Sequence, residues 1–188
     1  MPEFTSADGG VFNKQQRNPN PLQNNKFSFA IKRLPEVSWS IRGATIPSIQ
    51  LDVAWQNTRF NPVPHAGVGL QWEPFELQFI VDEDLNSYNE LNNWMRLLSG
   101  AIDKHGYSQL RQSSPDEVGP FQGLMSDAVL SVLTNESNPN FQVFYRDAFP
   151  IYLSELRFTN NVDSPEEQVC ISRFAYLYYE IIGANPEA

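Results

Sequence analysis

The stretch FIVDEDLNSYNELNNWM, residues 79–95, contains a change of hydrophobic period on either side of three consecutive acids. Before the acids, apolar and polar residues alternate in FELQFIV from Phe75, as they do in a half-buried strand. After the acids, apolar residues recur at helical spacing: Tyr88, Leu91, Met95 and Leu98, with Trp94 beside them. The pattern predicts a strand, an acidic turn and a helix over residues 87–99. A capping box between Ser87 and Glu90 should start this helix, and Gly100 should end it.

The three acids Asp82, Glu83 and Asp84 have more than one interpretation. They could ligate a metal or form a catalytic carboxylate cluster, but the spaced oxygen ligands of a calcium loop are missing. Negative charge near the start of a helix stabilises it by roughly 0.3–1 kcal/mol per residue. We therefore predict charge at the start of the helix, with pairing to cations of a neighbouring subunit as a compatible addition, and no metal or catalysis.

The rest of the chain predicts mainly β structure. Alternation predicts strands in KFSFAIK, in VSWSIRG (with Val37, Trp39 and Ile41 on one face), in LDVAW (with Leu51, Val53 and Trp55 on one face), in DAVLSVL and FQVFYRD, in the short segments AFPIYL and SELRF, and in one long terminal strand VCISRFAYLYYEII. Residues 56–74, with two prolines and two glycines, predict a long hairpin or projecting loop. The fold expected is a β-sandwich or barrel with one helix packed on it.

Length and composition favour one globular domain. The 188 residues predict a polar arm over residues 1–25, a domain over 26–182 with an aperiodic loop at 101–125, and a short tail at 183–188. No apolar run approaches the roughly 20 residues that span a bilayer, and MPEFTSADGG has no signal-peptide pattern. A single cysteine fits a reducing compartment.

The charge is distributed unevenly along the chain. The net charge is −9, which argues against general nucleic-acid binding. Residues 1–75 hold seven Lys/Arg against five Asp/Glu, whereas residues 76–188 hold six against seventeen. Such asymmetry suits head-to-tail association of identical subunits, although two independently solvated faces would give the same count. The candidate inter-subunit residues are Lys14, Arg17, Lys32, Arg33, Arg42, Arg59, Asp82, Glu83 and Asp84.

No constellation of residues indicates an enzyme. His65 and His105 are far apart with no neighbouring cysteine, so zinc is not expected, and Cys170 is expected in the core. Nucleophile-elbow, phosphate-loop and dinucleotide motifs are missing, and no cofactor is predicted. The aromatic residues of the last strand could stack bases, but without interleaved cations a core role is favoured.

The order of these elements resembles the tail-tube family of contractile-tailed bacteriophages, which includes baseplate tube-initiator proteins. The resemblance covers about residues 25–182. It rests on NKFSFAI after an arm, IRGATIPSI, the glycine-bearing PHAGVGLQWEPFELQFIVDED, the helix NSYNELNNWM, the strand DAVLSVL, FYRDAFPIYLSELRF and a closing YLYYE. The lengthened loop 101–125 and the tail GANPEA depart from the family pattern.

The resemblance implies a structural virion protein of the phage tail, assembled in the host cytoplasm. Six subunits would form a ring, and rings would stack into a tube inside a contractile sheath, with baseplate or tail-terminator proteins as further partners. DNA would pass through the lumen, and no membrane is involved. A tube-initiator ring is the alternative within the family. A carbohydrate- or ligand-binding β-sandwich, with Trp39, Trp55 and Trp72 as a platform, is the alternative from a different class.

Overall fold

The structure is a computed structural model, and it describes residues 20–100, 108, 123–160 and 167–183. Within these ranges the chain forms nine strands and two helices, so the mainly β class is confirmed. Lys14, Arg17, His105 and most of the predicted arm and loop 101–125 lie outside the described residues. The elements in chain order are β1 (Phe27–Ile31), α1 (Pro35–Ser40), β2 (Ile41–Ala44), β3 (Ile49–Gln56), β4 (Val63–Trp72), β5 (Phe75–Ile80), α2 (Asn86–Ser99), β6 (Ser126–Leu133), β7 (Pro139–Leu153), β8 (Val169–Ala175) and β9 (Tyr178–Gly183).

The long strand β7 connects two antiparallel sheets. Its first half lies between β6 and β9, and β1 extends this sheet beyond β6. Its second half pairs with β8, which is followed by β5 and β2 in the other sheet. Between the halves, Asp147 has a left-handed backbone with φ 54°. Asp127 holds this bend because its carboxylate accepts from the backbone N–H of Asp147 at 3.2 Å and pairs with Arg146 at 2.7 Å.

The core lies between the two sheets and under helix α2. The strand alternation in β5 places its inward residues at zero exposure, and the facing strands contribute mostly aromatic and branched side chains. Phe75 stacks on Phe174 with ring centroids 5.0 Å apart, and it also contacts Phe29 and Tyr145. Cys170 is buried in this core, as predicted.

The segment VSWSIRG is not a strand, as the sequence pattern predicted, but a short helix followed by β2. Pro35 occupies the first turn of α1, where its missing N–H costs nothing. Leu34 and Val37 are buried one helical turn apart, whereas Trp39 is 89% exposed. Alternation over the five residues from Val37 to Ile41 was therefore a misleading signal.

Helix α2 has the predicted extent but not the predicted cap. Gly100 ends it with φ 58°, as expected. Ser87 lies inside the first turn, and Asp82 supplies the cap: its carboxylate accepts from the N–H groups of Asn86 and Ser87 at 2.8 and 2.9 Å. Glu90 instead lies close to the first turn of α1, where one of its carboxylate oxygens is buried with no hydrogen-bond partner among the described residues, and burial raises its pKa.

The terminal apolar stretch forms two strands instead of one. β8 lies between β5 and β7, in the central position that its two apolar faces predicted. The chain then leaves that sheet at Tyr176 and Leu177, and β9 pairs with the first half of β7 in the other sheet. The segment SELRF, predicted as a strand, is irregular. Within the described ranges, no helix has the length and apolar character to cross a bilayer.

Candidate assembly surface

The hairpin of β3 and β4 is separate from both sheets. The two strands pair with each other from Ile49↔Trp72 to Gln56↔Val63, and within the described residues neither pairs with a third strand. The hairpin or projecting loop predicted within residues 56–74 was wrong in its bounds, because those residues supply the turn and the second strand, whereas the hairpin begins at Ile49. We call residues 49–72 the ribbon. An isolated two-stranded sheet is marginally stable in water, so a surface that covers it would be expected to stabilise it.

One face of the ribbon is entirely apolar. The pairing places eight side chains on this side, which we call the apolar ribbon face: Ile49, Leu51, Val53 and Trp55 from β3, opposite Trp72, Leu70, Ala66 and Pro64 from β4. Most of these residues are exposed, so the described part of the chain leaves them uncovered. The opposite face is mainly polar, with Gln50, Asp52, Gln56, His65 and Gln71. The predicted alignment of Leu51, Val53 and Trp55 is confirmed, but their exposure was not foreseen.

A glycine pair shapes the middle of the ribbon. Residues 67–69 all lie opposite Asp52, so β4 bulges between Leu70 and Ala66. A Cβ on Gly67 would overlap the backbone carbonyl of Asp52, and one on Gly69 would overlap its carboxylate. The close approach is possible because both positions lack a side chain. Val68, between them, points fully into solvent.

Tyrosines fix the root of the ribbon to the core. The Trp72 ring lies edge-on to Tyr179 at 5.0 Å and to Tyr176 at 6.3 Å. The Tyr176 hydroxyl donates to the Glu73 carbonyl at 2.9 Å, and the Tyr145 hydroxyl donates to the Thr45 carbonyl at 3.3 Å. Burial raises the pKa of Tyr176 to about 12 and raises that of Tyr145 further. Both hydroxyls therefore remain donors at any physiological pH.

The predicted inter-subunit cations lie in different surroundings. Lys32 and Arg59 are exposed, the latter beside the ribbon's tip. Arg42 pairs with Glu167 of the same chain at 3.1 Å, and both side chains are more than half exposed. Arg33 is half-buried, with its guanidinium 5.5 Å from the centre of the Trp94 ring. Arg33 therefore has an intramolecular role. Lys32 and Arg59 are exposed, as a residue that contacts another chain must be.

The three acids are divided between two roles. Asp82 also accepts from the Ser87 hydroxyl at 2.6 Å, and this bond together with the two backbone N–H bonds lowers its pKa to about 2. Glu83 and Asp84 are exposed in the turn that follows. In the parts of the chain that the structure describes, no three His, Cys, Asp or Glu side chains form a metal-binding group. The start of the helix accounts for the first acid, and the other two are available for contact with another chain.

The tryptophans predicted as an alternative sugar platform lie on different elements. Trp39 is on α1, Trp55 is near the ribbon's tip and Trp72 is at its root. Six residues of β3 separate the last two, about 20 Å along a strand. His65 contacts Gln56 at 2.8 Å on the polar ribbon face. These positions do not converge on one small ligand.

Solved structures with a similar fold include chains from a tube cap, a baseplate and a sheath-tube complex. No protein-family model matches the chain, and no curated protein sequence matches it. A chain in the cryo-EM structure of the anti-feeding prophage tube-terminating cap is 16% identical with TM-score 0.58, over 91% of this chain and 97% of that one. The fold is of the tail-tube type. A chain in the prophage's baseplate is also similar, with 14% identity and TM-score 0.56 over 87% of this chain and 97% of that one. So is a chain in the sheath-tube complex of an extracellular contractile injection system, with 12% identity and TM-score 0.57 over 88% of this chain and 94% of that one.

This similarity confirms the resemblance seen in the sequence at the level of the fold. The tail-tube-type fold here carries a ribbon whose apolar face was the main feature that sequence reasoning missed. Its signal was present, because the apolar residues of LDVAW alternate and those of β4 lie opposite them. The ribbon and the acidic turn are therefore the candidate surfaces for contact with other molecules.

Proposed function

We propose that this chain is a structural subunit of a contractile tail or injection particle, forming hexameric rings that stack into its inner tube. The apolar ribbon face is the observation that carries the proposal. Contiguous apolar patches of this kind on soluble proteins mark interaction sites. Within the ranges that the structure describes, the ribbon pairs with neither sheet and its apolar face is exposed, so we propose that the body of another subunit covers it.

The tail-tube-type fold supports a second subunit as the partner. Three similar chains come from a baseplate, a tube cap and a sheath-tube complex. Identical subunits arranged around an axis would each bury the ribbon of a neighbour, which is a heterologous contact that closes into a ring. Sheath, baseplate and terminator proteins are then the further partners we propose, and the particle is the proposed location.

The polar ribbon face suits the lining of a channel. When the apolar face packs on a neighbour, the other face stays uncovered, and we propose that it faces the lumen of the ring. β3 and β4 contain one acid, Asp52, and no lysine or arginine. Such a surface does not bind phosphate, because phosphate binding requires cations. We therefore propose that DNA could pass this face without adhering to it.

Electron microscopy of the purified full-length chain tests the proposal. Six-fold rings in negative stain are expected, and their stacking into long tubes would identify the repeating tube protein. Isolated rings that do not stack would favour the tube-initiator alternative. A stable monomer at high protein concentration would contradict ring formation, and glycan binding by that monomer would favour the sugar-binding alternative.

A further inference from the structure

We infer that an acid-rimmed hollow beside the acidic turn receives the N-terminal segment of a second copy of this chain. The hollow encloses about 670 Å³. Val81, Leu85, Leu156 and Phe158 form its apolar lining, and Phe158 is 79% exposed. The inference rests on the proposed self-assembly and adds the site where successive subunits would meet.

The rim of the hollow is acidic. Asp82, Glu83 and Glu167 line it, and Asp84 follows in the same turn. The carboxylate of Asp82 is occupied by the helix cap, and that of Glu167 by Arg42. Glu83 and Asp84 remain exposed at the edge. The hollow thus fits a ligand with an apolar anchor and adjacent cations.

The segment VFNKQQR, residues 11–17, has this chemistry. It supplies Phe12 as an anchor, with Lys14 and Arg17 two and five residues further on, and it contains no acid. The other end of the chain does not fit, because the tail GANPEA carries one acid and no cation. Charge complementarity therefore favours the N-terminal segment among the termini.

The positions of the two sites favour a different subunit as the source of the segment. Asn20 lies in a cleft beside the turn that precedes β7, whereas Leu156 of the hollow lies three residues beyond the end of β7. At about 3.3 Å per residue, the two halves of β7 on either side of Asp147 are about 26 and 20 Å long. Eight residues from Phe12 to Asn20 span at most about 29 Å, which is about the length of the first half alone. A neighbouring copy is therefore the source named in the inference.

A fluorescein-labelled peptide of residues 10–18 (GVFNKQQRN) tests the hollow directly. Its fluorescence anisotropy is measured against the full-length chain carrying Leu51→Gln, Val53→Thr and Leu70→Gln, which keeps the host from assembling through its ribbon. We expect binding that weakens as salt is raised. Phe158→Ser in the host, or Phe12→Ala in the peptide, should weaken it at least about tenfold. Glu83→Lys should do the same at low salt.

Leu177→Ser is the matched control, since Leu177 is another exposed apolar side chain that lies outside the hollow. It should leave the affinity unchanged. Failure to bind would overturn the inference, and so would binding that survives Phe158→Ser and Glu83→Lys. The peptide would fail to bind if residues 161–166 of the same chain cover the hollow, or if the hollow receives an unrelated partner. The peptide readout does not depend on ring formation, so the proposed function can fail or stand separately.

Discussion

Making the apolar ribbon face polar should prevent assembly while the chain stays folded. Leu51, Val53 and Leu70 are 53%, 51% and 46% exposed, so about half of each side chain is still available for burial. Full burial of such side chains is worth roughly 1.5–3 kcal/mol each, which gives about 1 kcal/mol for each remaining half. The triple variant Leu51→Gln, Val53→Thr, Leu70→Gln should therefore lose about 3 kcal/mol per contact. This corresponds to about a 100-fold weaker association.

Sedimentation velocity over a dilution series measures the effect, with circular dichroism to check the fold. The matched control changes the opposite face of the same ribbon: Gln50→Thr, Gln56→Thr and Gln71→Thr. This control should assemble at the same protein concentration as the wild-type chain, because no contact of the apolar ribbon face is removed. Equal assembly by the apolar-face variant, or equal loss by the control, would refute the claim that the apolar face is the contact surface.

Three further predictions concern the cap, the bulge and the arm. The folded-state pKa of Asp82, about 2, lies below its ordinary value of 3.8. Its ionised carboxylate therefore stabilises the folded state above about pH 4, and this stabilisation is lost as pH falls towards 2. Thermal melts should show that Asp82→Asn lowers Tm at pH 7 and that the difference narrows near pH 2; a constant difference would contradict this. Gly67→Ala should destabilise the ribbon by about 1–3 kcal/mol even with Asp52→Ala, because the clash is with backbone, whereas Gly69→Ala should be rescued by Asp52→Ala in a denaturation series. The described residues of the arm, 20–25, are exposed, so we expect deletion of residues 1–25 to leave Tm unchanged while ring stacking in micrographs weakens; unfolding, or unchanged stacking, would count against the predicted arm.

The sequence predicted elements best where the pattern was long. The change of period between Phe79 and Tyr88 correctly gave β5 and α2, because six alternating residues and three helical turns leave little ambiguity. The five residues from Val37 to Ile41 were assigned wrongly, because alternation over so short a stretch does not exclude a helical turn. Pro35 was the better signal there.

Other features depend on contacts that one sequence cannot show. Nothing local marks the break at Tyr176, where the chain changes sheets, because apolar residues continue on both sides. The cap of α2 comes from Asp82 instead of Ser87 because the turn brings that carboxylate back onto the first N–H groups. Alternation in β3 showed that Leu51 and Val53 share a face. It could not show whether their cover is the chain's own body or another molecule.

The continuity of β7 has a mechanical consequence. A pull along this strand loads its ladders with β6, β9 and β8 in parallel, so many hydrogen bonds must break together instead of one after another. The unfolding rate governs resistance to force, and shear against three neighbours slows that rate. Force applied at one end of β7 therefore reaches the other sheet through the covalent backbone, so the two sheets should not separate where the strand bends.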